Sequence, residues 1–378
     1  MKFTRIKLEN WRNFLGVDVP LERRVFLVGP NASGKSNFLD AVRFLRDMAD
    51  PQGGFQLAVV QKRGGVSKIR SLHARQNPAV AVEVEVQLAG NGLWTYRLEF
   101  TQSKQRQALI QREIVKKGDE VLLDRPNADD RSDEQRLGQT HLEQLHANRD
   151  FRELQESLAR VRYLHIVPQL VREPGRTMDR ARDPYGSDFL EQVATTNKNT
   201  LNSRLKRITG ALKIAVPQLE KLELRRDEKG VPHLKGLYKH WRKDAGWQTE
   251  EQFSDGTLRL LGLLWVLLDG THPLLLEEPE LSLHPGVIRH LPAMMARIGK
   301  KSGRQVLVST HSADLLSDEG IAPEEVLFLE VTAEDTKVHR ASDDAQIRAL
   351  YESGVPMAEA VLPRTAPKAV QQLSLFEA

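Results

Sequence analysis

Residues Gly29 to Ser36 read Gly-Pro-Asn-Ala-Ser-Gly-Lys-Ser, between the apolar run Val25-Phe26-Leu27-Val28 and the segment Asn37-Phe38-Leu39-Asp40-Ala41-Val42. The spacing G-x-x-x-x-G-K-S in that setting demands a strand, a loop and a helix in immediate succession. Gly29 and Gly34 let the backbone turn sharply enough for successive N–H groups to converge on an anion, and a helix opening near Lys35 adds the positive end of its dipole. The run Gly29, Pro30, Asn31, Ala32, Ser33, Gly34, Lys35 and Ser36, with Asn37 behind it, is therefore the candidate nucleotide cradle. Lys35 is expected to reach the β- and γ-phosphates and Ser36 to hold Mg²⁺.

The rest of the chain sets the bounds. Its 378 residues are 40% hydrophobic and 28% charged, enough for one large core or two smaller ones. Leu260 to Leu268 is the longest apolar stretch and falls short of the roughly 20 residues a membrane helix needs. No membrane span is expected. The start, Met1 to Leu8, alternates charge with apolar residues and has no signal-like apolar core, which predicts a cytoplasmic protein. With no cysteine, disulfides, thiolate catalysis and Cys-ligated metals are excluded. A net charge of +4 says little by itself about nucleic acid.

Periodicity divides the chain into four expected segments. Residues 1–115 read as an N-terminal lobe: strands over Phe3 to Leu8 and Val17 to Val28, a helix over Asn37 to Met48, and a hairpin. The hairpin joins the alternating runs Ala79 to Leu88 and Trp94 to Phe100 through Gly90-Asn91-Gly92. Residues 116–215 read as a charged, largely helical insertion. Within it lie a loop over Arg125 to Arg131, helices over Leu142 to Leu158 and Asp188 to Lys213, and a strand-like Val161 to Val167. Residues 216–342 read as a C-terminal lobe opening on a hairpin at Leu222 to Tyr238, and 343–378 as a tail.

The lobe 216–342 carries the remaining chemistry. Leu274-Leu275-Leu276-Glu277-Glu278 is a buried strand delivering carboxylates at its C-terminal end, which a phosphate-loop enzyme needs to hold Mg²⁺ and orient water. Phe253-Ser254-Asp255-Gly256-Thr257 precedes an apolar helix and offers another anion-binding helix start, although an ordinary N-cap has the same look. His311 ends the strand Gln305 to Thr310, where a histidine is either structural or beside the phosphate.

Taken together, the phosphate loop, Phe-Ser-Asp-Gly-Thr, Glu-Glu-Pro-Glu-Leu-Ser-Leu-His-Pro from Glu277 to Pro285, and Ser-Thr-His-Ser from Ser309 to Ser312 resemble the ABC-type ATPases of the RecF, SMC and OLD group. The resemblance covers Met1 to about Ser342. It implies an α/β P-loop NTPase head with a mixed central sheet, an antiparallel β-subdomain and a helical, charged insertion. It implies ATP and Mg²⁺ as ligands and a head-to-tail homodimer in which each ATP lies between one phosphate loop and the other head's signature. Residue by residue, it makes Lys35 and Ser36 the Walker A pair, Glu277 the Mg²⁺-supporting acid in place of an aspartate, and Glu278 the catalytic glutamate. Ser254 and Gly256 take the signature role, His311 that of the switch histidine, and Arg12 that of a nucleotide-contacting arginine. The Q-loop is poorly marked; Gln169, a further candidate ligand of nucleotide and metal, has a plain loop residue as its alternative.

What such a switch acts on is less clearly written. OLD relatives carry a Toprim nuclease after the head, whereas Ser312 to Ala378 leaves little room for one, and Asp335, Asp343 and Asp344 read as solvated turn acids. The expected output is control of a separate effector, a nuclease or toxin, in an antiphage defence module. A tail linker over Pro363 to Val370 leads to Gln372, Leu373, Ser374, Leu375 and Phe376, which resemble the sliding-clamp-binding pentapeptide. That supports an alternative, a DNA-repair ATPase recruited by the clamp; the segment can equally dock on its own protein. DNA contact is expected through two clusters, Arg160, Arg162, Arg172, Arg176, Arg180 and Arg182, and Lys62, Arg63, Lys68, Arg70 and Arg75, with a solvated charged face as the other reading. A scaffold that binds ATP without turnover is the third possibility.

Overall fold

The computed structural model describes residues 1–74, 78–88, 90, 92–173, 185–242 and 246–366. Along the chain the strands are β1 (Lys2–Trp11), β2 (Phe14–Pro20), β3 (Arg24–Val28), β4 (Val80–Gln87), β5 (Leu93–Gln102), β6 (Ala108–Lys117), β7 (Glu120–Arg125) and β8 (Arg162–Leu164). There follow β9 (Leu219–Arg226), β10 (Pro232–Tyr238), β11 (Trp247–Thr249), β12 (Leu274–Glu277), β13 (Val306–Thr310), β14 (Val326–Val331) and β15 (Thr336–Arg340). Three helices matter most: α1 (Lys35–Ala49), α2 (Lys198–Ala215) and α3 (Asp255–Leu268).

The chain forms two compact units. Met1–Arg162, Thr271–Leu275 and Gly299–Ala378 make the first; Tyr163–Gly270 and Leu276–Ile298 make the second. These limits cut the chain differently from the four segments read along the sequence, and they fall inside β8 and β12.

In the first unit, an antiparallel sheet runs in the order β2-β1-β4-β5-β6-β7. Period-two alternation places Val82, Val84 and Val86 opposite Leu98, Tyr96 and Trp94, all buried. Helix α1 packs against this face through Phe44, whose ring lies 5.3 Å from Trp11 and 5.7 Å from Phe100. The mixed sheet has the order β15-β14-β3-β13-β12-β8. At its centre β3 is parallel to both β13 and β14, and Val25 to Val28 are fully enclosed, as a strand covered on both faces requires. Gln305, completely buried, ties the two sheets together. Its amide accepts from Phe3 N at 2.8 Å and donates to Phe3 O at 2.8 Å and Glu22 O at 2.7 Å.

The first part of the segment after β6 departs from the expected helical insertion. The sheet continues through β7, and the expected loop at Arg125 to Arg131 holds a short helix, Ala128–Ser132, with a capping box between Asn127 and Asp130. The expected helix over Leu142 to Leu158 is confined to Arg152–Ala159. The reason lies in Glu113, which is buried on β6 and accepts from His141 N at 2.8 Å and Leu142 N at 3.1 Å. Those N–H groups are thereby held by the sheet. Arg125, also buried, closes the knot on Asp130 at 2.7 Å and Glu113 at 3.3 Å. Two further expectations change here. Asp335 is buried and paired with Lys337 at 2.7 Å instead of solvated, and Pro363 to Thr365 end a helix, Met357–Thr365, instead of opening a linker.

The second unit is built on α3 and an antiparallel sheet in the order β11-β10-β9. The helical stretch expected over Asp188 to Lys213 is two helices, Phe189–Thr195 and α2, the second starting at the N-cap Asn197. The apolar core of this unit joins Leu205, Ile208 and Leu212 of α2 to Leu258, Leu261 and Trp265 of α3. Among the described residues no helix is long and apolar enough to cross a membrane.

Candidate functional site

Strand β3 ends at Val28, and the loop it delivers is shaped by two left-handed residues, Ala32 (φ 63°) and Gly34 (φ 99°). Gly34 is obligatory twice over. Its torsion is one that side chains rarely adopt, and a Cβ there would sit 2.2 Å from the Asn13 amide nitrogen. At Gly29 a Cβ would lie 2.6 Å from Ser33 Oγ. Helix α1 then starts with no side-chain cap and no acid in its first turn, leaving the dipole end and its N–H groups to an outside anion. The buried Ser33 hydroxyl has no hydrogen-bond partner, so a polar atom already waits inside the loop. Lys35 is only 6% exposed and folds back on the loop, its Nζ donating to Gly29 O at 2.9 Å and Pro30 O at 3.1 Å. Those carbonyls hold the ammonium beside the cradle. These residues fit a nucleotide triphosphate.

Asn13, which no local pattern singles out, fixes the loop. Its Nδ2 donates to Ser33 O at 2.8 Å and to Thr336 Oγ1 at 2.7 Å, while its Oδ1 accepts from Asn37 Nδ2 at 2.7 Å. Trp11 Nε1 donates to Asn37 O at 2.8 Å. Arg12, expected at the nucleotide, places its guanidinium on Asp40 of α1 at 2.9 Å and is itself in the left-handed region (φ 52°). Asp40 also meets Arg63 at 2.7 Å, and Arg63 reaches Asp47 at 3.0 Å. Burial works against both carboxylates, yet Arg63 and Arg12 hold Asp40 below its usual range, and Arg46, Arg63 and Lys62 bring Asp47 down to about 2.

Thr310 on β13 is level with Val28 on β3, so His311 leaves its strand at the same end at which the phosphate loop begins. It is exposed. Ser312 behind it caps the next helix, accepting from Leu315 N at 3.2 Å. Lys35, Ser36, Asn37, Arg12 and His311 all belong to the first unit; Gln169, Ser254, Gly256, Glu277 and Glu278 belong to the second.

Within the second unit, β12 ends on Glu277. The Tyr163 hydroxyl donates to its carboxylate Oε2, and the His165 ring nitrogen lies 3.4 Å from its carbonyl. Neither contact was foreseeable, because Tyr163, in β8, and His165, just past its end, sit far upstream in the sequence. Glu278 is held in the left-handed region (φ 42°), a conformation that costs a non-glycine residue on the order of 1–3 kcal/mol and is common where a side chain must be aimed. The chain then turns tightly, Leu281 N donating to Glu278 O at 3.2 Å and Leu283 N to Glu280 O at 3.0 Å. A small cavity of about 20 Å³, room for roughly one water, is bounded by Glu277, Glu278, Arg259, Leu164 and Ile166. Burial pulls the Arg259 pKa below its ordinary value, against the raising effect of Asp255 and Glu278.

Ser254 is the N-cap of α3, its Oγ accepting from Thr257 N at 3.2 Å. This is the geometry of an ordinary N-cap. A Cβ on Gly256 would lie 2.5 Å from Ser282 O, so this glycine lets the helix start press against the turn after Glu278. Arg172 braces the same start, donating to Phe253 O at 2.6 Å and pairing with Asp255 at 2.7 Å. Gln169 is exposed on the short helix Pro168–Arg172. Of the two basic clusters, Arg63 and Arg172 are committed to these internal pairs, and Arg75, Arg176, Arg180 and Arg182 lie outside the described residues, as do Gln372 to Phe376.

Comparison with known proteins bears on the fold and the family. An SMC head bound to the C-winged helix domain of ScpA superposes with a TM-score of 0.57 at 13% identity, covering 90% of this chain and 98% of that one. An SMC head with an extended coiled coil bound to a ScpA domain derived from Pyrococcus furiosus gives 0.52 at 12% identity, covering 93% and 99%. Both likenesses concern the fold. Endonuclease GajA of Bacillus cereus (strain VD045) is 39% identical over 69 residues, 18% of this chain; the match spans only 12% of that protein's length. Residues 24–318 match the family model described as "AAA domain, putative AbiEii toxin, Type IV TA system". The chain therefore belongs to that AAA-domain family, and its fold is that of the SMC heads.

Proposed function

We propose that this protein hydrolyses ATP with Mg²⁺ in a head-to-tail homodimer, and that closure of the dimer is its output. The observation that carries the reading is the start of α1, with no side-chain cap, no acid in its first turn, and the buried Lys35 ammonium beside it. The N–H groups of the loop and Lys35 would hold the phosphates, and Ser36 with Glu277 would hold the metal. Mg²⁺ when bound supplies charge neutralisation on the transferred phosphoryl group. Tyr163 fixes the Glu277 carboxylate through its hydroxyl. Glu278 accepts a proton from water at its carboxylate, aimed by its left-handed backbone. His311 hydrogen-bonds at the γ-phosphate end, and Ser254 with Gly256 completes the site of the partner head.

The reading extends to a cytoplasmic, DNA-responsive switch governing a nuclease or toxin supplied by another chain. The match to a protein named Endonuclease GajA supports it. Glu278→Gln should lower ATP turnover at least about 100-fold while retaining nucleotide and lengthening the life of an ATP-dependent dimer in light scattering; Lys35→Ala should abolish nucleotide binding. If Glu278→Gln alters neither turnover nor dimer lifetime, hydrolysis by this route is wrong. A second reading, recruitment to DNA repair by the sliding clamp, is favoured by the Gln372 to Phe376 sequence. It requires that a Leu375→Ala, Phe376→Ala variant lose affinity for purified clamp.

A further inference from the structure

Helix α2 contains no Asp or Glu and five Lys or Arg: Lys198, Arg204, Lys206, Arg207 and Lys213. From Lys198 to Arg242 there are twelve Lys and Arg against four Asp and Glu, whereas the whole chain carries a net charge of only +4. The rest of the molecule is therefore net negative, and this lobe holds the positive surplus. Arg204 turns inward, pairing with Asp269 at 3.0 Å and lying 5.2 Å from the Trp265 ring. By contrast Lys206, Arg207 and Lys213 are exposed and make no ion pair with another described residue.

Asn202, Lys206, Thr209 and Lys213 recur at helical spacing and form one wall of a groove of about 630 Å³. The opposite wall is β9, and five consecutive residues from Glu220 to Leu224 line it. Successive strand side chains point to opposite faces, so a lining without gaps means that the groove opens along the strand's edge. β9 is the edge strand of its sheet. Its inner acid, Glu223, is taken up by Lys221 at 2.8 Å and by Arg225.

An aromatic platform stands at one end. Tyr238 of β10 is level with Leu219, and Lys239 N donates to Gln218 O at 2.7 Å, so the chain leaves β10 beside the start of β9. That is the end at which α2, through Lys213, enters the sheet. The next side chains are His240 and Trp241, ring-stacked at 5.7 Å, with Trp241 81% exposed and the Arg242 guanidinium 4.3 Å from its ring. Exposed cations in a groove that ends on an exposed indole match the needs of an unpaired nucleic-acid strand, whose phosphates follow the charge while a base stacks on the ring.

We infer that the groove between α2 and β9 binds a single-stranded nucleic-acid segment, with phosphates along Lys206 and Lys213 and a base on Trp241. This rests on the nucleic-acid part of the proposed function and not on its ATP chemistry, and it moves the contact away from the arginine clusters singled out in the sequence. The test is fluorescence anisotropy of a labelled oligo(dT) and of a blunt duplex of equal length, titrated at several salt concentrations with and without ATP. Lys206→Glu with Lys213→Glu should weaken the strand at least about ten-fold and flatten the plot of log affinity against log salt by about 0.7 for each lost phosphate contact. Trp241→Ala should weaken the strand about five-fold or more and leave the duplex unchanged. Basal ATP turnover should be unaltered in every variant, and the milder Lys206→Gln, Lys213→Gln pair guards against misfolding. Wild-type binding that these changes do not touch would overturn the groove while leaving the nucleic-acid reading intact. Absence of any wild-type binding would sink both. Equal displacement by polyglutamate, with Trp241→Ala silent, would mark the surface as one for an acidic protein instead.

Discussion

Arg63 and Arg125 in the first unit, and Lys206, Arg207 and Lys213 in the second, are all cations in charged stretches of sequence, yet the fold treats them oppositely. The Arg63 side chain is 2% exposed between Asp40 and Asp47, and that of Arg125 is fully enclosed between Asp130 and Glu113. Each braces a separate part of the chain: Arg63 the helix behind the phosphate loop, Arg125 the segment that returns from β7. Lys206, Arg207 and Lys213 make no ion pair with another described residue and face solvent. A buried ion removed from its partner costs far more than a solvated one, so the same residue type is architecture in one unit and available surface in the other.

The comparison can be broken most directly at Arg125. Arg125→Met leaves Glu113 and Asp130 buried without their guanidinium and should cost about 3–5 kcal/mol in denaturant unfolding; a loss under about 1 kcal/mol would mean that water reaches the pair. Next is Asp47, whose carboxyl is depressed from 3.8 to about 2 while its side chain is 1% exposed. A depressed carboxyl contributes stability that is fully present above its unfolded pKa and is lost as pH falls through the folded value. The wild-type advantage over Asp47→Asn should therefore be about 2 kcal/mol near neutrality and disappear between roughly pH 4 and pH 2. Asp40 is shifted the same way and will steepen the wild-type acid transition. Gly34→Ala should cost about 1–3 kcal/mol through the strained torsion and the clash with Asn13, and calorimetry should find nucleotide binding lost with it. The smallest effect belongs to the second unit: Lys206→Gln, Arg207→Gln and Lys213→Gln together should change stability by less than about 0.5 kcal/mol. A larger loss in thermal unfolding would show that α2 uses its cations internally after all.

Much of the first unit was readable from short-range pattern. The alternation Ala79 to Leu88 against Trp94 to Phe100 can be satisfied only by a half-buried hairpin, and β4 and β5 form it. The run into Gly29 reads as a strand, and β3 is that strand, parallel to both of its neighbours. The segment Leu142 to Leu158 misled because its helical spacing is real but its first N–H groups are claimed by Glu113, a residue about thirty positions earlier that no local window contains. Asn13, Tyr163 and His165 were illegible for the same reason. Each acts through a partner distant in the chain, Ser33 and Thr336 for the first, Glu277 for the other two. Arg63 and Arg172 looked like surface for DNA because composition records charge and not its partner.

The order of residues alone decided that a phosphate loop would form at Gly29 to Ser36 and that carboxylates would follow a buried strand at Glu277 and Glu278. Those features depend on torsions and periodicities that a few neighbouring residues impose. Only the folded chain decided which cations are enclosed and which are offered to solvent, why Gly34 must approach Asn13, and how Gly256 meets the turn after Glu278. Burial and ion pairing are properties of a three-dimensional neighbourhood, and their energies depend on partners that sequence distance does not reveal.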